Sequence, residues 1–349
     1  MKEELLSYLR CPVTLQPLSL RVFSKCIKKF DGIDVEIIDE GVLIGDVFCY
    51  PIIKGIPRLL VEAFVDYEDF LKKNLDDFAE RKQQILNKHN TIVASVIKKN
   101  SHTKKSFANE WNLFNYETDT TWNADKTEML ARFLREVDET KESLKGKIIL
   151  DAGCGNGLLN NLIANEGAKI LGFDFSLSIE KAFEKNTNPN AWFVQADVQF
   201  PPVLNDAFDI VHCSGVLIHT NNTEYSFSCL VPFVKRKGKL SVWLYHPRKD
   251  FIHNTFNFLR KYSSKLPLKL QYYLYLFFLF PPTFIIKKIK GNPQNKREMM
   301  IDILDWMTPE FRWEHTHDEA ASWFVKRSFT DVRVTTNEVF GFNIIGKKA

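Results

Sequence analysis

A run of alternate glycines framed by three acids is the part of this chain best suited to hold a small ligand. Ile148–Leu158 reads IILDAGCGNGL: an apolar stretch ends in Asp151 and breaks into Gly153, Gly155 and Gly157. Glycines at alternate positions accept backbone angles that a side chain forbids, and they let the main chain approach a ligand closely. Asp174 closes a second apolar run, where an acid accepts hydrogen bonds from both hydroxyls of a ribose. Asp197 closes a third, where an adenine amino group would find an acceptor, and Cys213–His219 follows a fourth. Such positions together hold a nucleoside. His219, His246, His315 and His317 add rings that titrate near neutral pH, as a general base for an alcohol requires, and each reads equally as a satisfied structural side chain.

The elements around these residues must place them on one rim. Lys147–Leu150 reads as a buried parallel strand, and Leu158, Leu159, Leu162 and Ile163 recur at helical spacing, so the glycines form a strand-to-helix turn. Further strands are expected at Lys169–Phe173, Ala191–Ala196, Phe208–Cys213 and Lys239–Tyr245, the last after a Lys237-Gly238 turn. The glycine spacing is GxGxG with an acid before it. Dinucleotide folds use GxGxxG to seat a pyrophosphate on a helix N-terminus, so this turn better suits a cationic, amino-acid-bearing ligand.

This set of residues resembles the class I methyltransferases that use S-adenosylmethionine. The resemblance implies an α/β, Rossmann-like fold of seven strands, with the cofactor (product S-adenosylhomocysteine) held by Asp151, Gly153, Cys154, Gly155, Asn156, Gly157, Asp174, Phe175, Ser176, Asp197, Val198, Ser214 and Gly215. Methyl transfer from a sulfonium is a direct displacement, so alignment supplies most of the rate. An alcohol acceptor also gains from a base. His219 lies nearest the expected methyl position, with His246 and His315 as the other candidates, and Trp111, Tyr245, Asp305 and Trp313 are assigned to the acceptor.

Composition agrees. A chain of 349 residues, 45% hydrophobic, can bury one full domain and a smaller one, and a net charge of +4 gives no large basic field for nucleic acid. Six scattered cysteines suit a reducing cytoplasm, and the start MKEELLSYLR lacks the apolar core of a secretory signal. No nucleophile elbow, paired catalytic carboxylates or HExxH motif supports hydrolase chemistry.

Three parts are expected: a small α+β ribbon-like module at 1–62, a helical connector and lid at 63–125, and a methyltransferase domain at 126–349 carrying an insertion, 247–300, as substrate lid. The module's Cys11-Pro12, Tyr50-Pro51-Ile52 and Gly55-Ile56-Pro57 resemble zinc-ribbon-like domains related to the activator subunit of tRNA and protein methyltransferases. Thr14 replaces a knuckle cysteine, and Cys11, Cys26 and Cys49 fall short of about four ligands, so no metal is expected. Ser106–Phe114 resembles a segment that packs over the cofactor in such proteins. Within the insertion, Leu270–Phe280 is almost wholly apolar, flanked by Lys265, Lys269, Lys287, Lys288 and Lys290, and Pro281-Pro282 is expected to break it. Eleven helical residues reach about 17 Å, short of a bilayer core of about 30 Å. A lid on the core, a cap over an apolar or lipid-linked acceptor and a peripheral membrane contact all stay open. Thr316 and Glu319 are placed for a capping box. The acceptor is expected to be a small molecule, a saccharide or a hydrophobic or lipid-linked metabolite, methylated on oxygen in the cytoplasm. The alternatives are a tRNA or rRNA methyltransferase gripping nucleic acid with the N-terminal module, and a binding protein without turnover.

Overall fold

The computed structural model describes residues 1–113, 126–248, 250–292 and 294–349, with the side chains of 101–113, Ile252, Leu268 and Asp305 outside the description. The N-terminal strands β1 (Ser19–Phe30), β2 (Ile33–Ile44), β3 (Cys49–Ile53) and β4 (Ile56–Pro57) form an antiparallel sheet in sequence order. Helices α1 (Ala63–Asp66), α2 (Glu68–Asn74) and α3 (Phe78–Leu113) follow, the last kinked at His89. Next come α4 (Lys126–Val137), α5 (Lys141–Leu144), β5 (Ile148–Ala152), α6 (Leu158–Asn165), β6 (Lys169–Asp174), α7 (Ser178–Glu184), β7 (Ala191–Gln195), β8 (Phe208–Ser214), α8 (Thr223–Leu230) and β9 (Val234–Tyr245). The insertion is helical: α9 (Phe251–Ser263), α10 (Leu268–Leu274), α11 (Phe280–Ile289) and α12 (Lys296–Met307). Helix α13 (His317–Val325) and the hairpin β10 (Phe329–Asn337) and β11 (Gly341–Lys348) end the chain.

The second sheet runs β10-β11-β9-β8-β5-β6-β7, parallel from β9 to β7 and closed on the other side by the antiparallel β11 and β10. Its central strands are apolar almost throughout because helices cover both faces. Strand order turns back at β5, which pairs with β6 on one side and β8 on the other. A crevice opens beyond the carboxyl ends of strands at such a point.

The 1–62 segment is less separate than expected. Leu59 N donates to Gln195 O at 2.8 Å and Leu204 N to Tyr8 O at 2.8 Å, so β4 runs on into the outer edge of β7. Buried residues of the small sheet, among them Ile38, Val42, Tyr50 and Ile52, share one core with Leu171, Phe173, Trp192 and Val194. An edge strand left open is a template for aggregation, and this docking covers it. Cys11 Sγ lies 3.2 Å from the Tyr50 hydroxyl, Cys49 is buried with its thiol pushed up to about 12 by desolvation, and Cys26 is exposed on β1. Among the described residues, no group of three or more His, Cys, Asp or Glu side chains is arranged for a metal.

Four local expectations change. Strand β9 begins at Val234, five residues before Lys239, and Lys237-Gly238 forms an irregularity inside it, where Phe208 pairs with Val234 and Ile210 with Lys239. Pro281-Pro282 does not end the helical run: a π-helical turn, Tyr275–Leu279, leads straight into α11, whose first turn holds both prolines, the part of a helix where proline is best tolerated. The insertion extends past 300, because α12 packs Met300, Ile303, Leu304 and Met307 around Tyr275 in a small core of its own. Thr316 does cap α13 by accepting from Glu319 N at 3.2 Å, but the Glu319 carboxylate turns to His315 Nδ1 at 3.0 Å instead of completing the box.

Candidate active site

The glycine turn has the backbone its sequence calls for. Gly153, Gly155 and Gly157 have φ of 87°, 53° and 72°. A Cβ on Gly157 would stand 2.6 Å from Phe193 and 2.7 Å from Ala182, so helix α6 can pack this close to the sheet only with glycine there. Asn156 Oδ1 accepts from Leu158 N at 2.9 Å and ties the start of α6. Asp174, at the tip of β6, reaches back: its Oδ2 accepts from Gly155 N at 2.9 Å, and its Oδ1 accepts from Ser176 N at 2.8 Å and Ser176 Oγ at 2.7 Å. Burial raises its pKa, opposed by those donors. The carboxylate is half-buried, and Phe175 beside it is partly buried.

Asp197 is more committed than expected. It is buried, and Oδ2 accepts from Lys99 Nζ at 2.9 Å and Asn100 Nδ2 at 3.3 Å, while Oδ1 accepts from Gln199 N at 2.9 Å. A carboxylate has about four acceptor positions. The donors from α3 thus take part of the acceptor capacity expected to serve an adenine amino group, and they tie the connector to the loop after β7. Val198 is buried beside it.

Asp151 is likewise bonded to protein partners. It is 4% exposed and lies beneath the turn, where its Oδ1 sits 2.8 Å from His212 Nδ1, its register partner on β8. His212 Nε2 meets Glu136 Oε2 at 2.9 Å, and Arg132 Nε donates to Glu136 Oε1 at 2.9 Å. Burial alone would favour a neutral ring, but the two carboxylates outweigh it and raise His212 to about 9. This buried ionic chain ties β5, β8 and α4 together, with Asp151 beneath the glycine turn. Cys154 is held protonated by burial, with its side chain against Gly172.

At the tip of β8, Ser214 leads into Gly215, whose φ is 72° and whose Cβ position faces open space. Val216 leans on Gly153: a Cβ there would lie 2.2 Å from a Val216 methyl. His219 is buried, 5.9 Å edge-on from the Tyr245 ring. Its Nδ1 lies 2.9 Å from Phe311 O. A carbonyl only accepts, so Nδ1 carries the proton and Nε2 is the basic nitrogen. Desolvation, with help from the charges of Arg312 and Arg260, lowers the ring to about 4, so it is neutral at physiological pH.

The other candidates do not converge on this point. His246 lies beyond β9, with Nε2 at 2.9 Å from Glu338 O, lining an open cavity of 550 Å³ with Thr316, His317, Asn337 and Val339. The buried His315 ring packs 4.8 Å edge-on to Trp323, a structural position, while its backbone N donates to Tyr245 O at 2.8 Å. Trp313 spends its indole N–H on Thr220 O at 2.8 Å and its backbone N on Ile218 O at 3.0 Å. It is a strut for the loop after β8. Tyr245 is buried at the centre. Trp111 and Asp305 lie outside the described side chains, as does the proposed lid contact of Ser106–Phe114. Sequence reasoning missed His212, Glu136, Lys99, Arg260 and Arg312; a histidine inside an apolar strand was the one visible signal.

Residues 149–238 match a family model described as a methyltransferase domain. The chain carries a class I methyltransferase domain. It is 30% identical over 105 residues to a ubiquinone biosynthesis O-methyltransferase of Coxiella burnetii, a match covering 29% of this chain and 45% of that one. The chain therefore spans less than half the length of that relative. It is 25% identical over 201 residues to a demethylmenaquinone methyltransferase of Renibacterium salmoninarum, covering 58% and 74%. Among solved structures it is similar to magnesium protoporphyrin IX methyltransferase from Synechocystis PCC 6803 with bound SAH, at 16% identity, with a TM-score of 0.43, over 72% of this chain and 100% of that one. Methyltransferase domains of this class use S-adenosylmethionine, and the acid at the tip of β6 and the bent glycine backbone fit its nucleoside.

Proposed function

We propose that this protein is an S-adenosylmethionine-dependent methyltransferase that methylates an oxygen of a small lipophilic acceptor delivered from a membrane surface. The observation that carries the oxygen assignment is His219: a neutral ring of fixed tautomer, packed on Tyr245 just past the strand that borders the glycine turn. When bound, S-adenosylmethionine supplies an electrophilic methyl carbon. His219 Nε2 would take the proton of the acceptor's hydroxyl as that oxygen is methylated. Asp174 would hold the nucleoside end, beside the turn where Val216 packs on Gly153.

The relatives' names point to ubiquinone biosynthesis and demethylmenaquinone, which supports a quinone-type acceptor over a saccharide. The insertion supports delivery from a membrane. Phe251, Phe258, Tyr262, Phe277, Phe278 and Ile289 are between 59% and 83% exposed. From 251 to 297 the sequence holds no Asp or Glu, while Lys261, Lys265, Lys269, Lys288 and Lys290 are exposed. An apolar face with a basic rim fits an anionic bilayer surface. Among the described residues no helix is long and apolar enough to cross a membrane. Nucleic acid is disfavoured because the small sheet's Arg58 is buried and Lys25 is paired with Glu36. Isothermal titration with S-adenosylhomocysteine, followed by transfer of labelled methyl to quinol acceptors on anionic vesicles, tests the reading. Absence of cofactor binding would refute it.

A further inference from the structure

Behind His219, helix α9 and the 312–314 segment bring two arginines close together, Arg312 buried and Arg260 partly buried. The Arg312 side chain is 2% exposed; its guanidinium carbon lies 4.0 Å from the Tyr245 ring centroid, and Nη1 donates to Glu314 Oε1 at 2.5 Å. That same oxygen is 2.5 Å from His253 Nε2. Arg260, from α9, reaches only Pro309 O, at 3.4 Å. Among the described residues the buried Nε–H groups of both arginines have no acceptor. The crowding is felt: burial and then the Arg312 charge push Arg260 down to about 10, and both cations act on His219.

A buried donor without a partner costs about 1–3 kcal/mol, more when charged, and native proteins keep few of them. Two in one cluster, with the Glu314 carboxylate already spent on Arg312 and His253, leave a positive excess beside the proposed base. Guanidinium forks match planar or tetrahedral oxyanions in geometry as well as charge.

Resting on the methyltransferase reading, we propose that the acceptor carries an acidic oxygen group, carboxylate or phosphate, that the Arg260 and Arg312 Nε–H groups bind while the reacting hydroxyl meets His219. The acceptor is thus an amphiphile: an apolar body, an anionic anchor and a hydroxyl. Arg260 and Arg312 determine specificity and Glu314 positions Arg312.

The test uses three probes of one shape, 2-naphthoate, 2-naphthyl phosphate and 2-naphthalenemethanol, titrated calorimetrically into the full chain saturated with S-adenosylhomocysteine. At least one acid is expected to bind about tenfold or more tighter than the alcohol, a gap of about 1.4 kcal/mol, and whichever acid binds better identifies the anion. Arg312→Gln and, independently, Arg260→Gln should collapse that gap to about threefold or less, with S-adenosylhomocysteine affinity retained as the check on folding. Arg312→Lys should keep part of it. Equal binding of all three probes, binding of none, or a gap that survives both Gln variants overturns the proposal. Because S-adenosylhomocysteine binding is measured first, its loss in the wild type would sink the methyltransferase reading, whereas normal cofactor binding without anion preference sinks this inference alone.

Discussion

Asp174 holds Gly155 in its bent conformation and, in the proposed reading, also presents oxygens to a ribose, so its replacement should be severe. Asp174→Ala is expected to weaken S-adenosylhomocysteine binding at least about a hundredfold by calorimetry, since two or more charge-assisted hydrogen bonds of about 1.5–3 kcal/mol each are lost. His219→Ala should leave cofactor affinity unchanged and lower kcat by about 10²- to 10⁴-fold, the usual range for a general base. The base form of a histidine lowered to about 4 is fully present above roughly pH 6. The acid limb of the kcat–pH profile should therefore fall near pH 4, not 6.5, and a limb at 6.5 would assign the proton transfer to another group. His212 has the opposite sign. Its folded value, about 9, exceeds the ordinary 6.5, so its contribution to stability is complete below 6.5 and is lost as pH rises through 9, when two buried carboxylates are left facing a neutral ring. Thermal melts from pH 6 to 10 should show this loss in the wild type, and His212→Asn should be less stable at pH 7 but flatter above pH 8.

At the level of elements, the insertion is the unusual part. Its helices hold a small core around Tyr275 while leaving large aromatic side chains in water, an arrangement that makes sense when another apolar phase covers them. The protein should co-sediment with vesicles containing anionic lipid and much less with neutral ones. Phe277→Glu with Phe278→Glu should reduce that binding by at least about tenfold and leave methyl transfer to a soluble acceptor intact. Raised salt should weaken it too, since the lysine rim acts through screened charge. Equal binding to neutral and anionic vesicles would remove the basic rim from the account.

Across the whole molecule, the N-terminal sheet and the connector are joined to the catalytic domain by polar contacts centred on a buried arginine. Arg58, 1% exposed, donates to Glu180 at 2.7 Å and Gln195 at 3.3 Å, and Tyr67 donates to Gln195 at 2.7 Å. Arg58→Ala should destabilise the protein by about 2–3 kcal/mol in urea unfolding, the scale of lost hydrogen bonds to a buried charge. A single cooperative transition is expected, because one core runs through both sheets; two separated transitions would show the 1–62 segment to be independent after all.

The parallel strands, the glycine turn and the acids at the strand tips were legible in the sequence because each is a local matter: a run of apolar residues, a backbone bend that only glycine tolerates, an acid at a fixed place after a strand. Family resemblance added the cofactor. What the chain's order could not convey was pairing across distance. Asp151 and His212 stand 61 residues apart and meet only because β5 and β8 are neighbours, and Lys99 reaches Asp197 across 98 residues because α3 is laid over the rim. The gathering of Arg260 and Arg312 behind His219 likewise depended on how the insertion folds back. Burial turns such meetings into function: with water excluded, each charge takes its protonation state from its neighbours, and those neighbours are assigned only when the tertiary structure closes.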